Sequence, residues 1–278
     1  MSVSIKQALQ NARQQFDVGS ADLDAELLLC HVLEKNRSYL RAWPEKEISS
    51  ERLDQFSQLI DRRKHGEPVA YILGNQEFWS LLLKVTPATL IPRPETELLV
   101  EQALMKLQGI ANPIIVDLGT GSGAIALAIA SERPDALVVA TDYSLDALVV
   151  ASGNAKQLGL TNVFFVNASW LDCFAINAFD LVVSNPPYIE VGDPDLASDV
   201  RRYEPGSALV SDDSGLADIK IIARQSSALL GSGSWLMLEH GWMQASEVKN
   251  VLQNNDFVNG EILKDLAGHD RVTIAQKK

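Results

Sequence analysis

Residues 184–190 read SNPPYIE, and an asparagine, two prolines and a tyrosine in immediate succession can act together on a planar nitrogen. An amide or exocyclic amine nitrogen is a poor nucleophile, because its lone pair is delocalised into the neighbouring π-system. Donating both of its hydrogens to fixed oxygens holds that lone pair toward a methyl donor and stabilises the positive charge that develops on transfer. Asn185 can supply one oxygen from its side chain, and the backbone carbonyl of Pro186 the other. Pro186 and Pro187 restrict the backbone that presents this carbonyl and bring no N–H groups to compete. Tyr188 offers a flat face against a planar substrate group and helps exclude water. No general base is required, since methyl transfer from a sulfonium centre has a neutral leaving group and the product nitrogen loses its proton readily. The plain alternative is a proline-rich turn after a strand.

A second cluster is DLGTGSGA, residues 117–124, a strand end running into Gly119, Thr120, Gly121, Ser122 and Gly123. Its glycines permit backbone conformations and close ligand approach that a side chain would obstruct. About twenty residues on, the next apolar run ends at Asp142, where a carboxylate can accept both hydrogen bonds of a ribose diol. An adenosine-type cofactor is implied. The glycines alone leave its identity open, because GTGSGA also satisfies the looser dinucleotide fingerprint; the chemistry around Asn185 favours a methyl donor.

These residues need a scaffold that brings strand ends together. From about Asn112 onward, apolar runs of strand length alternate with helical patterns: PIIVDLG, ALVVATD, NVFFVNA, AFDLVVSN and GSWLMLEHG are separated by segments such as SLDALVVASGNAKQLG. This alternation predicts a mostly parallel sheet with helices on both faces and ligands outside the carboxyl ends of its strands. Residues 1–74 instead carry apolar residues at helical spacing. ADLDAELLLCHVLEK places Leu23 and Leu27 to Leu33 on a broad face with Ser20 available as a cap, and SSERLDQFSQLIDRRKHG repeats the pattern with Leu53, Phe56, Leu59 and Ile60. Residues 75–92 read as a hairpin and linker, running into IPRPETE (residues 91–97), whose Glu95 and Glu97 suit the first turn of a helix.

The composition narrows the partners. A formal net charge of -12, from 24 basic and 36 acidic side chains, disfavours loose contact with a phosphate backbone. Two cysteines, Cys30 and Cys173, lie far apart and without metal-ligand spacing, so neither a disulfide framework nor a metal site is expected. No window reaches the length of a membrane-spanning helix, and a cytoplasmic location is expected.

LIPRPETE, DLGTGSGAIALAIA, SNPPYI, YEPGSALV, LEHGWMQ and DLAGHDRV, in this order behind a helical region, resemble the bacterial peptide chain release factor glutamine methyltransferases of the PrmC/HemK type. The resemblance covers essentially the whole chain. It implies an α/β, class I S-adenosylmethionine-dependent methyltransferase fold, a Rossmann-like seven-stranded sheet over residues 93–278, behind a small N-terminal helical domain that helps seat a protein substrate. The implied activity is methylation of the side-chain amide nitrogen (N5) of the glutamine in the Gly-Gly-Gln motif of class-one peptide chain release factors. S-adenosyl-L-methionine would meet Gly119 to Gly123 with its methionine part, Asp142 with its ribose and Trp170 with its adenine. Asn185, Pro186, Pro187 and Tyr188 would hold the substrate glutamine. The chain departs from the family pattern at Ser169, where an acidic residue commonly precedes the tryptophan, and in DDSGLAD, a helix-start variation with no evident catalytic consequence. The alternatives are a ribosomal-protein glutamine or adenine N6 in nucleic acid as methyl acceptor, a cofactor-binding module without catalysis, and a dinucleotide-dependent oxidoreductase.

Overall fold

The computed structural model describes residues 3–16, 20–175, 177, 179–193 and 197–278, and the chain divides into two compact units, Met1–Asn75 and Gln76–Lys278. In the first unit β1 (Val3–Ser4) leads into α1 (Ile5–Arg13) through a capping box, in which Ser4 and Gln7 each accept the other's backbone N–H. There follow α2 (Ala21–Leu33), α3 (Arg37–Ala42), β2 (Glu47–Ile48), which pairs with β1, α4 (Ser50–Lys64) and α5 (Val69–Leu73). Leu28, Leu29 and Val32 of α2 pack with Phe56 and Ile60 of α4 in one core.

Leu23, expected on the buried face of α2, is exposed instead. The inward position is taken by Asp24, which accepts from the Arg63 guanidinium at 2.7 Å and from the Ser20 hydroxyl at 3.1 Å. A buried carboxylate needs such partners, and engaging them turns the face of the helix. Ser20 is thereby used on a side chain and makes no cap bond to the backbone.

The second unit begins with the hairpin β3 (Asn75–Phe78) and β4 (Leu81–Lys84). The sequence reading makes residues 75–92 a hairpin and linker, and Phe78 and Leu83 of this hairpin lie in the main core of the unit. Pro94–Thr96 form a single 3-10 turn that runs into α6 (Glu97–Lys106). Then β5 (Ile114–Leu118), α7 (Ala124–Glu132), β6 (Leu137–Asp142), α8 (Leu145–Leu158), β7 (Val163–Asn167) and β8 (Leu181–Ser184) alternate. After β8 come β9 (Ile189–Glu190), α9 (Ser198–Tyr203), β10 (Val210–Ser211), α10 (Ala217–Leu229), β11 (Trp235–Glu239), α11 (Ala245–Gln253), β12 (Phe257–Lys264) and β13 (Asp270–Lys277). No helix among the described residues is long and apolar enough to cross a membrane.

Seven strands form one sheet in the order β12-β13-β11-β8-β5-β6-β7. β11, β8, β5, β6 and β7 are mutually parallel, and β13 and β12 close the edge antiparallel. The chain winds outward from β5 through β6 to β7, then returns to the other side of β5 as β8, so the switch point lies between β5 and β8. Crevices at such points are where open α/β sheets bind ligands. Registered pairs set which residues meet there: Leu118 faces Thr141 on one side and Ser184 on the other, and Ser184 faces Leu238. The next residue along each strand direction therefore stands in one row at this end of the sheet, Asp142, Gly119, Asn185 and Glu239.

Candidate active site

A cleft of ≈ 400 Å³ opens over the switch point, and Gly119, Gly121, Asp142, Trp170, Asn185 and Pro187 are among the residues that line it. Its size is that of a small-molecule site. Gly119 and Gly121 both have positive φ, +70° and +56°, which only glycine adopts without strain. At Gly119 a Cβ would also lie 3.4 Å from the indole of Trp170, whose own φ of +51° turns the ring onto the loop.

The other members of the glycine-rich run face inward. Thr120 donates its hydroxyl to Asp117 Oδ2 at 2.6 Å, and Ala126 at the start of α7 donates its amide to the same oxygen at 3.2 Å. Asp117 is wholly buried, and burial pushes its carboxyl up to about 7 against the pull of these hydrogen bonds. Ser122 is buried, and its carbonyl accepts from Asn154 of α8 at 2.9 Å. The same Asn154 side chain exchanges hydrogen bonds with the backbone of Lys84 at 2.8 and 3.0 Å, so one buried amide joins the loop to β4. Gly123 is a packing position, since a Cβ there would meet Leu127 at 2.9 Å and Ala151 at 3.3 Å. Thr120, Ser122 and Gly123 thus shape the loop while Gly119 and Gly121 face the cleft.

Asp142 accepts from the amide of Gly121 at 3.0 Å with one oxygen and from that of Ser144 at 2.9 Å with the other. A carboxylate oxygen can accept more than one hydrogen bond, so both remain able to take a hydroxyl of a vicinal diol. Burial raises its pKa, opposed by these backbone donors. The described residues lining the cleft include Asp142, Asp146 and Asp218 and no lysine or arginine. Such a lining suits a cationic or uncharged adenosyl group and disfavours a pyrophosphate, which binds where N–H groups and basic side chains converge. That charge pattern favours the adenosyl methyl donor over the dinucleotide.

Asn185 is half-buried, and its Nδ2 donates to the Thr96 hydroxyl oxygen at 3.2 Å. Thr96 in turn donates to Glu239 Oε2 at 2.7 Å, and Tyr188 donates to Glu239 Oε1 at 3.2 Å. Pro186 is buried, and neither it nor Tyr188 lines the cleft described above. Burial, reinforced by the negative Glu239, pushes the Tyr188 phenol up, so it stays protonated and cannot serve as a base. Glu239 is wholly buried and is itself pushed up to about 7 by desolvation, against hydrogen bonds from Thr96 and Tyr188 and the charge of Arg271.

Thr96 and Glu239 were not singled out in the sequence. A carboxylate closing the apolar run WLMLE is the signal for Glu239; Thr96 is hidden between two glutamates that read as helix-start residues. Gly215, in the DDSGLAD segment assigned no consequence, also bears on this site. Its φ is +80°, and a Cβ there would lie 2.0 Å from the carbonyl oxygen of Tyr188. Gln244 donates to that same carbonyl at 3.0 Å and to Ser214 at 2.9 Å.

Residues 7–74 match the model of the PrmC N-terminal domain, and residues 111–271 that of a methyltransferase domain. The release factor glutamine methyltransferase of Aliivibrio fischeri is 48% identical over 280 residues, 99% of this chain and 98% of that protein. Its counterpart in Escherichia coli is 46% identical over 254 residues, 91% of each chain. Among solved structures, a T. thermophilus 16S rRNA N2 methyltransferase in complex with AdoMet and guanosine shares the fold, with a TM-score of 0.53 at 20% identity over 73% of this chain and 50% of that one.

Proposed function

The chain belongs to the release factor glutamine methyltransferase family, and on that premise we propose that it methylates N5 of the glutamine in the Gly-Gly-Gln motif of class-one peptide chain release factors. The observation that carries this reading is the row at the switch point: Asn185 emerges beside Gly119 and Asp142, with its amide nitrogen anchored on Thr96. An acceptor for an N–H of the substrate amide then stands next to the loop and carboxylate that suit the cofactor.

S-adenosyl-L-methionine supplies an electrophilic methyl group on a sulfonium sulfur. Gly119 and Gly121 let the backbone approach its methionine part, Asp142 takes its ribose diol and Trp170 flanks its adenine. Asn185 Oδ1 and the Pro186 carbonyl accept the two N–H groups of the glutamine, which holds the nitrogen lone pair toward the methyl carbon. As the N–C bond forms and the S–C bond breaks, the electron pair of the broken bond stays on sulfur and the nitrogen becomes positive. The two oxygens stabilise that charge, and one proton leaves to water. Pro187 and Tyr188 bound the substrate side chain, and residues 1–74 dock the body of the release factor. This chemistry and partner suit a cytoplasmic enzyme.

The test is transfer of a labelled methyl group to a purified, unmethylated class-one release factor, located by mass spectrometry, with Asn185→Ala alongside. Methyl on the Gly-Gly-Gln glutamine, lost in the variant, is the expected result. Label on a ribosomal protein or on adenine instead would replace the substrate and leave the cleft chemistry intact. For the docking role, deletion of residues 1–74 should weaken methylation of the intact release factor more than cofactor binding; equal losses would refute it.

A further inference from the structure

We infer that Glu239 is a positioning residue for methyl transfer: from the end of β11 it fixes the Thr96 hydroxyl and the Tyr188 phenol, and through Thr96 it sets which end of the Asn185 amide meets the substrate. This rests on the reading of Asn185 as an acceptor for the substrate amide.

The geometry is a directional chain. Above about pH 7, where Glu239 is ionised, its carboxylate only accepts hydrogen bonds, so the Thr96 hydrogen points to Glu239 Oε2 at 2.7 Å. A lone pair of the Thr96 oxygen then faces Asn185, and only the amide nitrogen can donate to it, at 3.2 Å. Oδ1 is left as the end that meets an incoming N–H. Were the amide turned over, its NH₂ would confront the NH₂ of the substrate glutamine and neither could accept. Asparagine side chains are indifferent to this choice until a neighbour decides it. Glu239 and Thr96 are both buried, at 1% and 4% exposure, so water does not compete for the decision.

Glu239 also reaches the far end of the motif, because Tyr188 donates to its other oxygen at 3.2 Å. One carboxylate therefore holds both Asn185 and Tyr188, with Pro186 and Pro187 stiffening the backbone between them. The fold makes this possible through register: Leu238 faces Ser184 across β11 and β8, so Glu239 and Asn185 are neighbours at the strand ends. Thr96 reaches them from the 3-10 turn Pro94–Thr96, where the IPRPETE segment enters α6. Arg271 of β13 partly balances the charge on Glu239, and Glu95 beside Thr96 opposes it.

The experiment is single-turnover methylation of a release factor by the full-length enzyme, with cofactor affinity and release factor KM measured separately. Thr96→Val removes the hydroxyl and keeps the shape, and should lower the rate constant roughly 30-fold or more with cofactor Kd and KM nearly unchanged. Thr96→Ser restores the hydroxyl and should recover the rate to within about threefold. Glu239→Met, of similar length and with only a weakly accepting thioether, should fall as Thr96→Val does, while Glu239→Gln can still accept from Thr96 and should lose less than about tenfold. If Thr96→Val and Glu239→Met both leave the rate constant unchanged while Asn185→Ala abolishes it, the positioning role is wrong and the reading of Asn185 stands. An active Asn185→Ala overturns that reading itself. Should Thr96→Val fail to fold, the contrast between Glu239→Met and Glu239→Gln carries the test, and equal losses in those two would refute it.

Discussion

Gly121 donates its amide to the Asp142 carboxylate at 3.0 Å, so the glycine-rich loop after β5 and the acid that ends β6 form one device. Asp142→Asn halves the acceptor capacity for a ribose diol and weakens the tie to the loop. Hydrogen bonds to a charged acceptor contribute about 1.5–3 kcal/mol each, so S-adenosyl-L-methionine should bind roughly 10–100-fold more weakly in calorimetric titration. Release factor KM at saturating cofactor should change far less; an equal loss in both would place Asp142 outside the cofactor site.

Gly215 should prove as sensitive as the residues it supports. Its φ of +80° is strained for any residue with a Cβ, and that carbon would lie 2.0 Å from the Tyr188 carbonyl oxygen, which is backbone and cannot swing aside. Gly215→Ala should cost about 1–3 kcal/mol of stability, read as a lower thermal midpoint. The relief available is movement of Tyr188, so turnover should drop as well, at cofactor affinity near wild type. A variant with full stability and full turnover would show that the close approach is not needed.

Residues 112–239 were the most legible, because parallel strands buried on both faces read as short apolar runs, and Gly119, Asp142 and Asn185 each close one of them. The antiparallel edge pair is carried instead by FVNGEILK and DRVTIAQK, whose half-exposed first strand is interrupted by Asn259 at φ +54°. The hairpin turn between β3 and β4 is Trp79–Ser80, both at positive φ, where asparagine and glycine are the readable signal. Trp79 is held there by partners far away in sequence, its amide donating to Glu97 and its indole to Glu132. Thr96 and Glu239 were missed for a related reason: their significance is a relation between a 3-10 turn and a strand end 143 residues apart. Neighbours along the chain do not reveal it.

Arg93 and Glu204 form a second long-range tie. The guanidinium donates to Glu204 Oε1 at 2.5 Å, and the other carboxylate oxygen accepts from the amide of Ile91 at 3.1 Å. The Glu204 side chain is 1% exposed and that of Arg93 35%, so Arg93→Met would strand a buried carboxylate. Breaking fully buried pairs costs about 3–5 kcal/mol; with one partner in reach of water the loss should be nearer 2 kcal/mol, measured from the denaturant midpoint. Adding Glu204→Gln should recover part of it, because the uncompensated charge is then gone. No recovery would mean that packing of the arginine stem, rather than charge, holds IPRPETE in place.

Burial raises the pKa of Asp142 and, to about 7 each, those of Asp117 and Glu239. In the unfolded chain such groups titrate near about 4. Between these values the folded protein keeps protons that the unfolded chain has released, so Asp117 and Glu239 both make stability fall as pH rises through the window and level off above about 7. Asp265, depressed by the amide of His269 and by Arg271, acts with the opposite sign, and its contribution is lost only as pH falls below the ordinary carboxylate range. Glu239→Gln removes one of the groups raised to about 7. Its unfolding free energy should exceed the wild type's by up to about 3 kcal/mol at pH near 8, with the gap closing toward about pH 5. Turnover should move the other way, since the neutral side chain accepts from one hydroxyl where the carboxylate accepts from two. A variant more stable at high pH and slower in methyl transfer would identify Glu239 as a charge kept for function against the cost of burying it. A variant destabilised at every pH would show instead that the carboxylate contributes net stability through Thr96 and Tyr188.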